Sequence, residues 1–294
     1  MEFAKSETRV PHRTTHESSG WRIEYAIQPP RRPTRRAVVA FHGFARPLED
    51  LFTVASAWPR DAHFLCIHLP HHGASGPLTP GDHPIPPATL LSILREILDR
   101  EGLDTSSADL VGYSIGGRIA LAMLVEAPDF WEHVILMAPD GLVKNPFYRI
   151  TVHTEFGRWA WFWMDRNAAK VLRWNDRLLS WGLISKHLHG FGIFHMETHE
   201  MRMMVWHGWR AHRECWPSHL EIRQALRVRA RLGDRWTTDF VFGLKDKIIP
   251  PGNASRMRRM TRGLGGVRFH EVLSGHGMLR PDVLIEMMRR IFPS

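Results

Sequence analysis

The feature that most limits how this chain can fold is a repeated alternation. A short continuous apolar run ends in a loop of glycine, proline or histidine, and a stretch with apolar residues at helical spacing follows. AVVAF at 37–41, FLCIHL at 64–69, DLVG at 109–112, VILM at 134–137 and DFVF at 239–242 are such runs, and VRFHEV at 267–272 closes the series. A strand that is apolar at nearly every position is one buried on both faces. WRIEYAI at 21–27 alternates instead, as a half-buried strand does. Residues 50–58 and 89–99, the run RIALAML after Gly117, and 281–291 with Pro281 near its start read as the covering helices. The pattern predicts an α/β fold: a mostly parallel central sheet flanked by helices, with ligands beyond the carboxyl ends of the strands.

One segment interrupts the alternation. Residues 142–235 hold 16 Lys and Arg against 8 Asp and Glu, a surplus of 8 in a chain whose net charge is +9. Eight of the 12 tryptophans (159, 161, 163, 174, 181, 206, 209 and 216) lie there as well. Its helix-like patterns predict an inserted cap between two parts of one core, 19–141 and 236–294. The polar stretch 1–18 reads as a mobile tail without the apolar stretch of a signal peptide. Two isolated cysteines, Cys66 and Cys215, suit a reducing compartment and no disulfide framework, so the expected location is cytoplasmic. No run reaches the ~18 apolar residues of a membrane span.

The strongest local signal is Gly112-Tyr113-Ser114-Ile115-Gly116, a G-x-S-x-G between an apolar strand and a helix of small residues. A serine hydroxyl becomes a useful nucleophile only when exposed, oriented and placed beside a base. A sharp strand-to-helix turn exposes it, and side chains at the flanking positions would clash, hence the glycines. The helix start also points backbone N–H groups at developing negative charge.

Here the sequence resembles the α/β-hydrolase family, over about 37–141 and 237–294. His42-Gly43-Phe44 looks like that family's oxyanion loop, which implies the N–H groups of Phe44 and Ile115 as oxyanion donors, with the His42 side chain holding the turn. Gly243-Leu244-Lys245-Asp246-Lys247-Ile248-Ile249-Pro250 resembles the acid loop, and Ser274-Gly275-His276-Gly277 stands where the family carries its histidine. The resemblance implies Ser114 as nucleophile, His276 as general base and Asp246 as the acid that orients it, in the chain order Ser…Asp…His. Asp140 in APDG is the competing acid and otherwise a turn or cap residue. The family often has aspartate and glycine where His68 and His71 stand. Its haloalkane and epoxide hydrolases use an aspartate nucleophile, against which Ser114 argues.

The expected activity is hydrolysis of an ester-like bond in a hydrophobic small molecule, with no cofactor and no metal. The same residues would serve an acyltransferase, an amidase, a thioesterase or a C–C bond hydrolase, and a non-catalytic binding or membrane-surface protein is the alternative from another class. In the cap, the tryptophans read first as packing or as pocket lining, with Tyr113, Trp159 and Trp163 as expected substrate contacts. Trp beside Lys and Arg also suits a membrane boundary, and nucleic acid is the weakest partner reading. His195 and His199 share a helix face at i, i+4 and could bind a metal. No third metal ligand is specified, and the H-E-x-x-H order of a zinc helix is missing.

Overall fold

The computed structural model describes residues 12–143 and 145–293. The first half supplies β1 (His12–Ser18), β2 (Trp21–Gln28), β3 (Ala37–Phe41), α1 (Glu49–Ala57), β4 (His63–Ile67), the two-residue β5 (Gly76–Pro77), α2 (Pro87–Arg100), β6 (Ala108–Tyr113), α3 (Ile115–Glu126) and β7 (Trp131–Met137). Six helices follow before the next strand: α4 (Pro146–His153), α5 (Glu155–Arg166), α6 (Ala168–Ser180), α7 (Lys186–Met196), α8 (His199–Ala211) and α9 (His219–Leu232). The chain then returns as β8 (Thr237–Gly243), α10 (Ser255–Met260), β9 (Val267–Val272) and α11 (Pro281–Ile291).

The strands form one sheet in the order β1-β2-β4-β3-β6-β7-β8-β9, with β5 beside β2. Pairing is parallel from β4 through β9, and β2 joins β4 and β1 in antiparallel fashion. β3, β6, β7 and β8 are buried at every residue, as their continuous apolar runs require. β9 is half-buried because it lies at the edge, which explains its mixed sequence.

Two expectations about boundaries are corrected. HRTTHES at 12–18 is not a tail: it is β1, registered on β2 from His12 opposite Ile27 to Ser18 opposite Trp21. An edge strand takes backbone partners from one neighbour and needs no apolar face, so its polar sequence hid it. The rest of the expected tail, 1–11, lies outside the described residues. The segment 142–235 is also not uniform. Helix α9 packs on α3, and its Ile222, Ala225 and Leu226 are buried in the main core. On the same face the Arg229 guanidinium donates to the carbonyls of Trp131, Glu132 and Thr237. Ser218 and Glu221 cap α9 reciprocally, which marks a separate helix start. The helices that stand apart are α4 to α8, where Trp161, Val205 and Trp206 form a small apolar cluster of their own.

Candidate active site

Ser114 occupies the turn between β6 and α3 with φ 55° and ψ −119°. For a residue with a Cβ this is strained backbone, of order 1–3 kcal/mol, and neighbouring bonds hold it. The Ser114 N–H donates to Met137 O at 3.0 Å, and Ser114 O accepts from Gly117 N and Asp140 N at 2.9 Å each. A Cβ at Gly116 would stand 2.4 Å from Phe41 O and 2.5 Å from His42 O, and one at Gly112 would stand 2.6 Å from Gly116 O. The glycines are therefore dictated by backbone crowding.

Three loops at the carboxyl ends of β6, β8 and β9 meet here. His276 Nε2 lies 3.1 Å from Ser114 Oγ, and His276 Nδ1 lies 2.8 Å from Asp246 Oδ2. The other Asp246 oxygen accepts from the N–H groups of Ile248 and Ile249 at 2.8 and 2.9 Å, fixing the carboxylate at its loop. The loops touch backbone to backbone: a Cβ at Gly243 would come within 2.5 Å of the carbonyl oxygens of Ser274 and Gly275. Asp140, the competing acid, is engaged elsewhere. It pairs with the buried Arg118 and accepts from Gly141 N, and the Arg118 guanidinium lies against the rings of Tyr148 and Trp216, 4.6 and 4.4 Å from their centroids.

The Phe44 loop is held from beneath by neutral imidazoles. Leu69 N–H donates to His42 Nε2, so Nδ1 carries the proton that His42 donates to Gly43 O. Ala45 N–H donates to His72 Nε2, and His72 Nδ1 donates to Pro70 O. Burial above all holds His42 well below the usual imidazole range and pushes His72 down to about 4. His68, at one of the positions that departs from the family pattern, pairs instead with Glu24 of β2 at 2.9 Å. That carboxylate also accepts from Ala74 N, so the substitution ties the loop to the antiparallel side of the sheet.

Ser114 lies where two cavities meet. The larger, of about 660 Å³, runs past Arg118, Asp140, Tyr148, Trp209 and Trp216. The smaller, of about 470 Å³, contains His276, Lys186 and Phe194. Phe44, His195 and Ile248 border both, and Phe44 stacks on His195 with ring centroids 5.2 Å apart. Ile115 lines the larger cavity as the first residue of α3, where an N–H has no partner within the helix.

Two of the three expected substrate contacts are corrected. Trp159 and Trp163 line neither cavity and point to solvent, because the buried face of α5 is that of Gly157 and Trp161. Tyr113 does border the smaller cavity, and its hydroxyl donates to His276 O at 2.7 Å. Burial keeps its phenol protonated, pushed up to about 12, so Tyr113 positions the histidine loop. The cavity aromatics that sequence reasoning missed are Tyr148, Trp209 and Trp216. A lone arginine in the small-residue helix after the G-x-S-x-G was the available signal for their partner, Arg118.

His195 and His199 do not share a helix. The chain breaks at Glu197-Thr198, where the Thr198 hydroxyl caps α8, and His199 turns to Asp165. Asp109, Glu132 and His133 gather their ligand atoms within 4.8 Å of one another at the opposite end of the strands. Arg36 and Ser107 engage Glu132, and Thr237 and Arg60 engage His133, so protein groups occupy this cluster. Cys66 and Cys215 are both free and buried.

With that geometry in view, comparison with known proteins is informative. A stretch of 109 residues, 37% of this chain, is 24% identical to monoacylglycerol lipase abhd6-A of Xenopus laevis and spans only 32% of that relative. Among solved structures, MGS-M2, an α/β-hydrolase enzyme from a Medee basin deep-sea metagenome library, superposes with a TM-score of 0.65 at 12% identity, covering 96% of this chain and 98% of its own. The thioesterase domain from the curacin biosynthetic pathway gives a TM-score of 0.58 at 13% identity, covering 96% and 99%. Such identities speak for the fold alone. The pattern that defines the alpha/beta hydrolase fold matches residues 36–276, the strand order is the one just described, and the chain belongs to the α/β-hydrolase fold family.

Proposed function

We propose that the protein is a serine hydrolase that cleaves an ester-like bond of a hydrophobic small molecule through an acyl-enzyme on Ser114. The observation that carries this reading is the unbroken run of hydrogen-bond contacts from Asp246 Oδ2 through the His276 ring to Ser114 Oγ, 2.8 and 3.1 Å long. Asp246 accepts from Nδ1, which leaves the Nε2 lone pair facing the hydroxyl. Ser114 Oγ attacks the carbonyl carbon as Nε2 takes its proton, and Asp246 stabilises the imidazolium. The N–H groups of Phe44 and Ile115 receive the oxyanion, and removal of one such donor costs roughly a hundredfold or more in rate. The C–O bond to the leaving alcohol breaks as His276 returns the proton to it. A water then enters from the same side, His276 takes its proton, and the acid is released with Ser114 restored.

The two cavities divide the substrate. His276 must reach both the leaving group and the water, so these belong to the smaller cavity that contains it. The acyl portion belongs to the larger one, against Tyr148, Trp209 and Trp216; a volume of this size suits a small-molecule ligand. The names of the similar lipase and thioesterase fit acyl transfer from either oxygen or sulfur. The test is turnover of a chromogenic short-chain ester. Ser114→Ala is expected to reduce it to the uncatalysed background with the fold intact by circular dichroism. Activity in that variant equal to the wild type would remove the proposal.

A further inference from the structure

Helix α6 is unusual for a folded protein: none of its 13 residues is fully buried, and its inner face of Val171, Leu172, Leu178 and Leu179 is only half-buried where it packs on α7. A helix of this length is marginal in water by itself and normally gains its stability from an apolar face packed on something. Helix α5 adds to the anomaly. Its inner face carries Gly157 and Trp161, yet Phe156, Trp159 and Trp163, spaced i, i+3, i+7, form a second apolar face that stands in solvent. Trp159 is 58% and Trp181 60% exposed. Phe156 stacks on Trp159 with centroids 5.9 Å apart, and Trp174 meets Trp181 edge-on at 6.3 Å. Monomeric soluble proteins rarely show contiguous apolar surface of this kind unless it is used.

We propose that the outer surface of α5 and α6 docks on an anionic lipid bilayer, with the mouth of the Ser114 cavities facing the membrane. Three observations favour this occupant. The apolar side chains are chiefly tryptophan, whose ring suits the boundary between headgroups and acyl chains. Exposed Arg158, Arg166, Lys170, Arg173 and Arg177 accompany them, and Arg177 lies over the Trp174 ring at 5.5 Å. Of the acidic side chains on these helices, Asp165 is drawn inward by Arg202, and against exposed Glu155 and Asp176 the five basic side chains leave a basic surplus facing out. Finally, exposed apolar residues also stand at the site and along the chain that leads to it from α6. Exposed Leu183 precedes Ser185, which lines the larger cavity, while exposed Phe194 and Ile248 line the smaller. A second copy of the chain is the less suitable partner, because the two helices carry Arg158, Arg166, Lys170, Arg173 and Arg177 against Glu155, Asp165 and Asp176, and two such basic faces repel.

This inference deepens the ester-hydrolase reading by naming the surface from which an apolar substrate reaches Ser114, but lipid binding does not itself require turnover. The test is co-sedimentation of the full chain with vesicles of phosphatidylcholine mixed with phosphatidylglycerol, and with vesicles of phosphatidylcholine alone. The wild type is expected to sediment with the mixed vesicles, less so at high salt and less with phosphatidylcholine alone. Trp159→Ala combined with Trp174→Ala is expected to lower partitioning about tenfold or more. Removing Arg158 or Arg173 should lower it about fivefold each, on anionic vesicles only. All these variants should keep wild-type turnover of a soluble ester, which shows that they fold. Ser114→Ala should bind vesicles like the wild type, so loss of the hydrolase reading would leave this one standing. Failure of the wild type to sediment with either vesicle overturns the proposal. So does undiminished sedimentation of the tryptophan variant, or a dimer in gel filtration that the same substitutions dissolve. Retention of the chain by nucleic acid with no affinity for the anionic vesicles would also overturn it.

Discussion

The strands behind Ser114 and the helices in front of it use apolar residues in opposite ways. β3, β6, β7 and β8 bury every residue, and their loops approach so closely that Gly112, Gly116 and Gly243 tolerate no Cβ. Helices α5 and α6 carry Trp159, Trp161, Trp163 and Trp174 and leave all but Trp161 in solvent. The difference teaches where positional accuracy resides. A proton relay with contacts of about 3 Å needs atoms placed to within a fraction of an ångström, and these come from loops whose backbones interlock. The helices supply walls and an outer surface, for which approximate placement suffices.

The contrast can be broken most forcefully at the two aspartates. Asp246→Asn, in the interlocked region, is expected to lower kcat roughly ten-thousandfold with little change in stability, because the histidine is left in the wrong tautomer. Asp140→Asn, at the foot of the helices, is expected to leave the chemical step largely intact. It should lower stability by roughly 1–3 kcal/mol, since Arg118 then lies buried without its carboxylate. Equal losses of kcat in the two variants would overturn the assignment. Next in size is backbone crowding. Gly116→Ala drives a methyl into the Phe41 and His42 carbonyls and should destabilise by about 3 kcal/mol or more. Trp174→Ala on α6 should change the free energy of unfolding in urea by no more than about 0.5 kcal/mol. A large loss from the tryptophan would mean that α6 is more deeply packed than its exposure implies.

The join between the regions is expected to be acid-sensitive. His72, behind the Phe44 loop, is pushed down to about 4, and His212, at the C-terminal end of α8 beside Gly208 O, to about 3, in both cases chiefly by burial. In the unfolded chain both imidazoles titrate near ~6.5. Unfolding therefore takes up protons below ~6.5, and stability falls as pH drops from there toward 4, by about 1.4 kcal/mol per pH unit for each imidazole. Urea unfolding at pH 7.5 and pH 5 checks the sign. Equal stability at the two values would mean that these histidines already carry their protons when folded.

Much of the interlocked region was legible in the sequence because its physics is local. An unbroken apolar run has few places to go other than a covered strand, and a serine between glycines at a strand end has few reasons other than a tight turn. The loops after 243 and 273 carried Asp246 and His276 at the ends of such runs. The helical region was harder to read, since a tryptophan on an amphipathic helix faces whichever neighbour the tertiary packing supplies. Trp159 and Trp163 were therefore expected inward and face outward. Tyr148, Trp209 and Trp216 line the cavity, although the three are spread over two helices and a loop. β1 escaped because an edge strand is specified by its partner's backbone, and α9 because charge density masked the three apolar residues of its inner face.

Activation of Ser114 by His276 can be read out with a fluorophosphonate probe followed by peptide mass spectrometry. The account predicts a single covalent adduct on the peptide containing Ser114, lost in Ser114→Ala and slowed by at least about a hundredfold in His276→Ala. An adduct on another residue, or labelling of Ser114 at the same rate without the imidazole, would contradict it.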